Sequence, residues 1–309
     1  MIDSIEGIHH ITSMGKDAVR IDRFFKEVLG LRRVKQTVNF DAPDVYHLYY
    51  ANGQGQPGTV MTYFPFPNIA AGQPGAGEVS TTVFAVPAGS LGYWRDRLAA
   101  RNVPGIRIDQ RFGARWLRFK GSEGDSFALV EQSDDTREPW ADSDIDPSHA
   151  IRGFSGASLL VNDEGPMQEL LEFMGYQIAG REGSVIRLTR GGGNGAEFID
   201  LEVDAGAPPA RQGSGSVHHI AFAVPAAKLA SVREALVGQG FRVTPQIDRN
   251  YFMSLYFRTP GGVLFEIATN EPGFAADEPA EHMGEALKLP AQHEHLRPHL
   301  ERTLPPLGS

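Results

Sequence analysis

Two stretches decide how this chain is read: Gly7-Ile8-His9-His10-Ile11-Thr12 near the start and Ser216-Val217-His218-His219-Ile220-Ala221 late in the sequence. Each is a short apolar run broken by a histidine pair. After the second comes Tyr251-Phe252-Met253-Ser254-Leu255-Tyr256-Phe257-Arg258, a Thr259-Pro260-Gly261-Gly262 turn, and Val263-Leu264-Phe265-Glu266. That is the pattern of a hairpin whose second arm ends on a carboxylate among apolar residues.

Working outward from Gly7, an extended His9 to Ser13 passes the polar break Gly15-Lys16-Asp17. Ala18 to Leu29 then carries Ile21, Phe24, Phe25, Val28 and Leu29 at helical spacing, with Gly30 as a C-cap. Three extended pieces follow: Arg33 to Val38, Val45 to Tyr50 and Thr59 to Phe64. Strand, helix and three strands make one unit, and the unit recurs. The second copy runs through Val79 to Val86, a helix from Leu91 to Arg101, and strands at Arg107 to Arg111, Arg115 to Phe119 and Ser126 to Glu131. The third has Gly153 to Val161, a helix from Pro166 to Met174, and strands at Tyr176 to Ala179, Val185 to Thr189 and Glu197 to Val203. The fourth begins at Val217, with a helix from Ala227 to Gln239 and strands at Phe241 to Pro245, Phe252 to Arg258 and Val263 to Ala268. Phe84-Ala85-Val86-Pro87 and Phe222-Ala223-Val224-Pro225 mark the same register before a helix in copies two and four.

The predicted class is therefore α+β, with four βαβββ modules paired into two domains. The expected boundaries are residues 1–140 for the N-terminal domain and 151–268 for the C-terminal domain. The acidic, proline-containing stretch from Ser133 to Pro147 reads as the linker. Residues 269–309 form a C-terminal extension whose segments Met283 to Leu287 and Glu294 to Leu300 are expected as short helices packed on the outside. Gly191-Gly192-Gly193-Asn194-Gly195 reads as a flexible hairpin turn, because it lacks the strand-before, helix-after setting of a phosphate loop.

Composition narrows the chemistry. A length of 309 residues exceeds what one core usually serves, which agrees with two domains. A net charge of -9 without a run of basic residues argues against nucleic acid or an anionic membrane as partner. No apolar stretch approaches the ~20 residues that span a bilayer, and a cytoplasmic location is expected. The absence of cysteine leaves histidine and carboxylate as the available metal ligands.

Adjacent residues of a strand face opposite ways, so at most one histidine of each pair is expected to face a shared interior. The register of the modules selects His10 and His219, with Thr81 and Gly156 at the equivalent positions of copies two and three. Together with Glu266 these make two neutral imidazoles and one carboxylate, a set that leaves a divalent ion with open positions. Glu266 would be costly to bury unless it met a cation. His293, Glu294, His295 and His299 offer a weaker cluster, because Arg297 stands where a zinc-protease helix would need its second histidine.

At these residues the chain resembles the vicinal oxygen chelate superfamily, which includes glyoxalases, bleomycin resistance proteins and extradiol dioxygenases. Within it the likeness is to ring-cleaving dioxygenases of the hydroquinone type. Matching stretches are His9-His10-Ile11-Thr12, Val34-Lys35-Gln36-Thr37-Val38-Asn39-Phe40-Asp41, Tyr46-His47-Leu48-Tyr49-Tyr50, Pro57-Gly58-Thr59-Val60-Met61-Thr62 and Asp135-Thr136-Arg137. The C-terminal half adds Val217-His218-His219-Ile220-Ala221-Phe222 and Arg258 through Glu266. The resemblance implies that His10, His219 and Glu266 hold Fe(II), with Mn(II) accepted by the same ligands. It also implies that His9, His218, Thr12, Arg249 and Tyr256 surround them, and that a small aromatic substrate and O2 are the partners. A homo-oligomer is compatible with the sequence. Two other readings stand beside this one: a glyoxalase-like metal-dependent isomerase or lyase, and a non-catalytic binder of an aromatic compound or quinone.

Overall fold

In the computed structural model, which describes residues 1–308, the four modules are visible in order. The first comprises β1 (Ile8–Gly15), α1 (Ala18–Arg23), β2 (Arg32–Asn39), β3 (Ala42–Ala51) and β4 (Val60–Pro65). The second comprises β5 (Glu78–Val86), α2 (Leu91–Ala100), β6 (Arg107–Arg111), β7 (Ala114–Lys120) and β8 (Ser126–Glu131). The third has β9 (Gly153–Val161), α3 (Gly165–Phe173), β10 (Gln177–Glu182), β11 (Val185–Thr189) and β12 (Phe198–Val203). The fourth has β13 (Ser216–Val224), α4 (Leu229–Gly238), β14 (Ile247–Asp248), β15 (Phe252–Arg258) and β16 (Leu264–Pro272), and α5 (Arg297–Thr303) closes the extension.

Local chemistry accounts for most of these bounds. The Asp17 carboxylate caps α1 by accepting from the backbone N–H groups of Val19 and Arg20. The predicted helix beyond Arg23 widens into a π-turn at Phe24–Val28, with Phe24 and Phe25 turned into the core. On β3 alternation is clean: Tyr46, Leu48 and Tyr50 join the main core, leaving His47 and Tyr49 on the other face. The predicted strand Phe241 to Pro245 is irregular instead. Pro245 has no N–H for a ladder, and Arg233 takes the carbonyls of Thr244 and Val243.

Two curled eight-stranded sheets result. The first runs β14-β15-β16-β13-β1-β4-β3-β2, the second β10-β11-β12-β9-β5-β8-β7-β6. At the centre of the first, β1 and β13 pair antiparallel while each runs parallel to the last strand of its own module, β4 and β16. Modules one and four thus share one sheet and modules two and three the other, so each sheet takes one module from either side of the Ser133 to Pro147 stretch. That stretch is fastened to both sheets: Arg137 donates to the carbonyls of Gly58 (3.0 Å) and Phe154 (2.8 Å).

The glycine-rich turn at Gly191–Gly195 is likewise tied down. Asn194 donates from its side chain to Ile8 O (2.8 Å) and from its backbone to Glu6 O (2.8 Å), at the entry to β1. A Cβ at Gly193 would lie 2.2 Å from Glu6 O, so the close approach requires glycine there.

The C-terminal extension does more than pack outside. Phe274 and Met283 enter a second apolar cluster, with Val34, Tyr49, Val60, Ala221 and Phe252, on the face of the first sheet turned away from the main core. Lys35, fully buried on β2, anchors the extension: its Nζ donates to Asp277 (2.6 Å) and to Glu278, and lies 4.7 Å from the centre of the Tyr251 ring. Removing one partner of a buried charge group typically costs about 3 kcal/mol. Lys35→Met should therefore lower stability by about that amount in denaturant unfolding. Limited proteolysis should then cut first between residues 272 and 290, and a variant as resistant there as the parent would contradict this anchoring role.

Candidate metal centre

The centre is built from one row of the first sheet. Register places Tyr256 on β15 opposite Glu266 on β16, Glu266 opposite Ala221 on β13, and Ala221 opposite His10 on β1. Directly paired residues share a face, and His219, two residues before Ala221, shares it too. The small Ala221 leaves the gap into which the two imidazoles and the carboxylate converge.

They converge closely. His10 Nε2 and His219 Nε2 are 3.2 Å apart, and they stand 3.3 Å and 2.9 Å from Glu266 Oε2. Three ligand atoms each about 2.1 Å from one ion, at right angles to one another, are about 3.0 Å apart. The triangle is the size that a single divalent cation fits.

Hydrogen-bond bookkeeping frees the His10 ligand nitrogen for it. His9 Nε2 sits 3.1 Å from the Thr269 carbonyl, so it carries the proton and donates, which leaves His9 Nδ1 as an acceptor. His10 Nδ1, 2.9 Å from His9 Nδ1, must donate to it, and His10 Nε2 is left with a bare lone pair. The second pair repeats the spacing, with His219 Nδ1 and His218 Nδ1 2.8 Å apart. A cation at His219 Nε2 would make His219 Nδ1 the donor of this bond and leave the proton of the cavity-lining His218 on Nε2. Burial and the neighbouring imidazole push His9 and His218 each down to about 3, which keeps both neutral.

Strand alternation alone would have sent His9 and His218 to the far face. Each is instead the extra residue of a β-bulge. The register passes from Ile8 opposite Phe222 to His10 opposite Ala221, skipping His9, and from Thr12 opposite His219 to Ser13 opposite Val217, skipping His218. A bulge re-aims the side chains around it, and these two bring all four histidines together.

The second sheet is an internal control. It has the same bulges, at Ser80 and Ser155, and the Ser158–Asp200 pairing corresponds to Ala221–Glu266. Asp200 is as buried as Glu266, but Arg187 grips it through two hydrogen bonds of 2.7 and 2.8 Å, and Arg111 lies at 3.4 Å. These guanidiniums stack on Trp116 and Phe198 and fill the space. Gly156 admits no side chain, since a Cβ there would lie 2.3 Å from Phe198 O. Among the described residues Glu266 has no such protein cation, and neither carboxylate oxygen accepts a hydrogen bond. Burial alone would raise its pKa, yet the two adjacent imidazoles hold it below the ordinary carboxylate range. Burial in turn pushes His219 down, toward the neutral form that cannot neutralise Glu266. A divalent cation between them satisfies both demands.

The centre opens onto a cavity of about 390 Å³. Met14, Phe40, Phe64, Phe66, Phe252 and Leu264 supply apolar wall, and Phe252 packs against both the His9 and His10 rings. Arg249 and Tyr256 line it as a pair, the guanidinium 5.5 Å from the ring centre, with Arg249 also 3.3 Å from the exposed Asp41. Thr12 lies beneath the floor, fully buried, with its Oγ1 2.9 Å from Thr62 Oγ1. His293 and His299 do not line this cavity: His293 bonds the carbonyl of the wall residue Phe40 from outside the lining, and His299 pairs with the exposed Asp44. His47 and Tyr49, which are not among the candidate residues named from the sequence, also line the cavity. Their one-face spacing on β3 was the available signal.

Glu266→Ala and His10→Ala should each abolish stoichiometric metal binding while far-ultraviolet circular dichroism stays unchanged, as measured by metal analysis after reconstitution. Retention of one tightly held ion in either variant would place the metal elsewhere.

Comparison with known proteins agrees with this architecture. Residues 161–267 match the Glyoxalase/Bleomycin resistance protein/Dioxygenase superfamily. The chain is 42% identical over 304 residues to a Bacillus subtilis protein provisionally named ring-cleaving dioxygenase MhqO, covering 97% of this chain and 96% of that one. It is 35% identical to the chlorohydroquinone/hydroquinone 1,2-dioxygenase of Sphingobium indicum, over 98% and 97% of the two chains. The crystal structure of a provisionally assigned Bacillus subtilis dioxygenase superposes with a TM-score of 0.94 at 39% identity, over 99% and 98% of the chains. Glyoxalase I from Zea mays shares the fold at a TM-score of 0.64 and 13% identity, over 85% of this chain and 92% of that one. The chain belongs to the glyoxalase/bleomycin resistance protein/dioxygenase superfamily, alongside its ring-cleaving dioxygenases.

Proposed function

We propose that this protein is an Fe(II)-dependent dioxygenase that opens the ring of a hydroquinone or related dihydroxyaromatic, inserting O2 next to a ring hydroxyl. One observation carries the reading: a face of two imidazoles and one carboxylate, lacking any protein cation among the described residues, opens onto an aromatic-walled cavity. The pattern is that of non-haem Fe(II) oxygenases, and it leaves open positions beside the three ligands. The hydroquinone class is supported by the relative from Sphingobium indicum, whose name specifies those substrates.

His10, His219 and Glu266 would hold the ion, which when bound acidifies a ring hydroxyl and offers a position for dioxygen. The remaining tasks fall to the chain. Phe252 and Leu264, with Phe64 and Phe66, hold the ring flat and exclude water. The His9 ring locks the tautomer of His10 through the bonds described above, and His218 would hold the His219 ring through their Nδ1 contact. His218 and Arg249 line the same cavity as the ligand face, where an imidazole N–H and the guanidinium would donate hydrogen bonds to developing negative charge. Burial and the nearby Glu266 push the Tyr256 phenol up, which keeps it protonated and able to donate. The glyoxalase-like and non-catalytic readings share the fold but use no dioxygen.

The protein loaded anaerobically with ferrous ion should consume dioxygen when given hydroquinone, and a chelator should abolish the uptake. Arg249→Met should lower kcat roughly 100-fold with the metal still bound, the usual cost of losing one such donor. Full activity after metal removal, or hydroquinone turnover without dioxygen uptake, would defeat the proposal.

A further inference from the structure

One line of buried polar groups is not used by the centre itself. Tyr49 Oη lies 2.8 Å from His47 Nδ1, His47 Nε2 lies 2.8 Å from Thr62 Oγ1, and Thr62 Oγ1 lies 2.9 Å from Thr12 Oγ1. Tyr49 and His47 line the cavity, whereas Thr62 and Thr12 are wholly enclosed. The chamber is the same one the metal centre faces, since His10, His219, Arg249 and Tyr256 line it with Tyr49.

The Tyr49 ring is held between the His47 ring, at 4.0 Å, and Phe274, at 5.0 Å. A phenylalanine would pack there equally well, so the packing gives no reason for the hydroxyl. Its oxygen uses one hydrogen bond, to His47, and retains capacity for another. Buried polar atoms in an apolar wall are costly unless they find partners.

Proton counting shows what the line offers. Burial and the facing His10, His219 and Arg249 keep the His47 imidazole neutral, so it contributes one proton. Each hydroxyl contributes one more, and the three bonds use all but one of the four. The surplus proton sits at one end. If the bonds run from Thr12 toward Tyr49, the Tyr49 O–H is free to donate into the cavity. If they run the other way, Tyr49 Oη is a bare acceptor. Rotating the hydroxyls and switching the His47 tautomer interconverts the two without creating charge.

We propose that the Tyr49 hydroxyl, backed by His47, binds the ring hydroxyl that lies away from the metal centre, and so selects dihydroxylated rings over rings with a single hydroxyl. This rests on the ring-cleaving reading above. Tyr49 is a specificity-determining residue in this account, and His47 is a positioning residue that acts through it. A group able both to donate and to accept suits a neutral ring hydroxyl, which can do either.

The test is anaerobic titration calorimetry on the ferrous-loaded protein with two rings of similar size, hydroquinone and 4-methylphenol, the second lacking the far oxygen. The parent protein should bind hydroquinone about tenfold more tightly, the usual worth of one buried hydrogen bond. Tyr49→Phe should erase that preference by weakening hydroquinone alone. His47→Phe should do the same, which a role in packing would not produce. A preference unchanged in Tyr49→Phe, or both rings weakened equally, would overturn the inference while leaving turnover by the parent protein intact. Failure of the parent protein to consume dioxygen with hydroquinone would instead defeat the ring-cleaving reading, and this inference with it.

Discussion

The structure turns on one unbalanced charge. Glu266 is fully buried in the first sheet, with no hydrogen-bond donor at either oxygen among the described residues and two imidazole nitrogens within 3.3 Å of Oε2. In the second sheet the corresponding Asp200 is equally buried, but two arginines neutralise it. One fold thus presents the same carboxylate position twice, closed by guanidinium in one sheet and left for a cation in the other. The rest of the first sheet serves that difference: bulges that gather four histidines, a small residue at Ala221, and an aromatic-walled cavity beyond.

Bringing these groups together requires the chain to join its ends. β1 and β13 begin more than 200 positions apart, as the His10–His219 contact records, and they are neighbours only because modules one and four build one sheet. The extension completes the enclosure from the far side, where Phe274 packs on Tyr49 and Phe252 and Lys35 holds Asp277 and Glu278. Stability and site are therefore coupled. The buried ion group that fastens the extension also fixes the aromatic wall on which Tyr49 rests.

Much of the fold was legible in the sequence because module repetition multiplied weak signals: strand, helix and three strands recur with nearly the same spacing. The irregular Phe241 to Pro245 segment was not, since Pro245 and the capture of its neighbours' carbonyls by Arg233 are tertiary effects. At the site, period-two alternation put His9 and His218 on the far face. It could not foresee bulges, which depend on cross-strand register rather than on residue pattern. His47 and Tyr49 stood in plain view within Tyr46-His47-Leu48-Tyr49-Tyr50. Their importance comes from which face of β3 meets the cavity, and that is set by sheet topology. The filling of the second sheet by Arg111 and Arg187 was equally hidden, because ordinary arginines far apart in sequence carry no mark of a shared target.

The central claim is that a single divalent ion supplies the charge missing beside Glu266. Anomalous diffraction from crystals grown anaerobically with ferrous ion tests it most directly. The account predicts one strong iron peak about 2.1 Å from His10 Nε2, His219 Nε2 and a Glu266 oxygen, with no peak at Asp200. An iron peak bound through His9 or His218, or a first sheet that stays folded and iron-free at saturating ferrous ion, would contradict it.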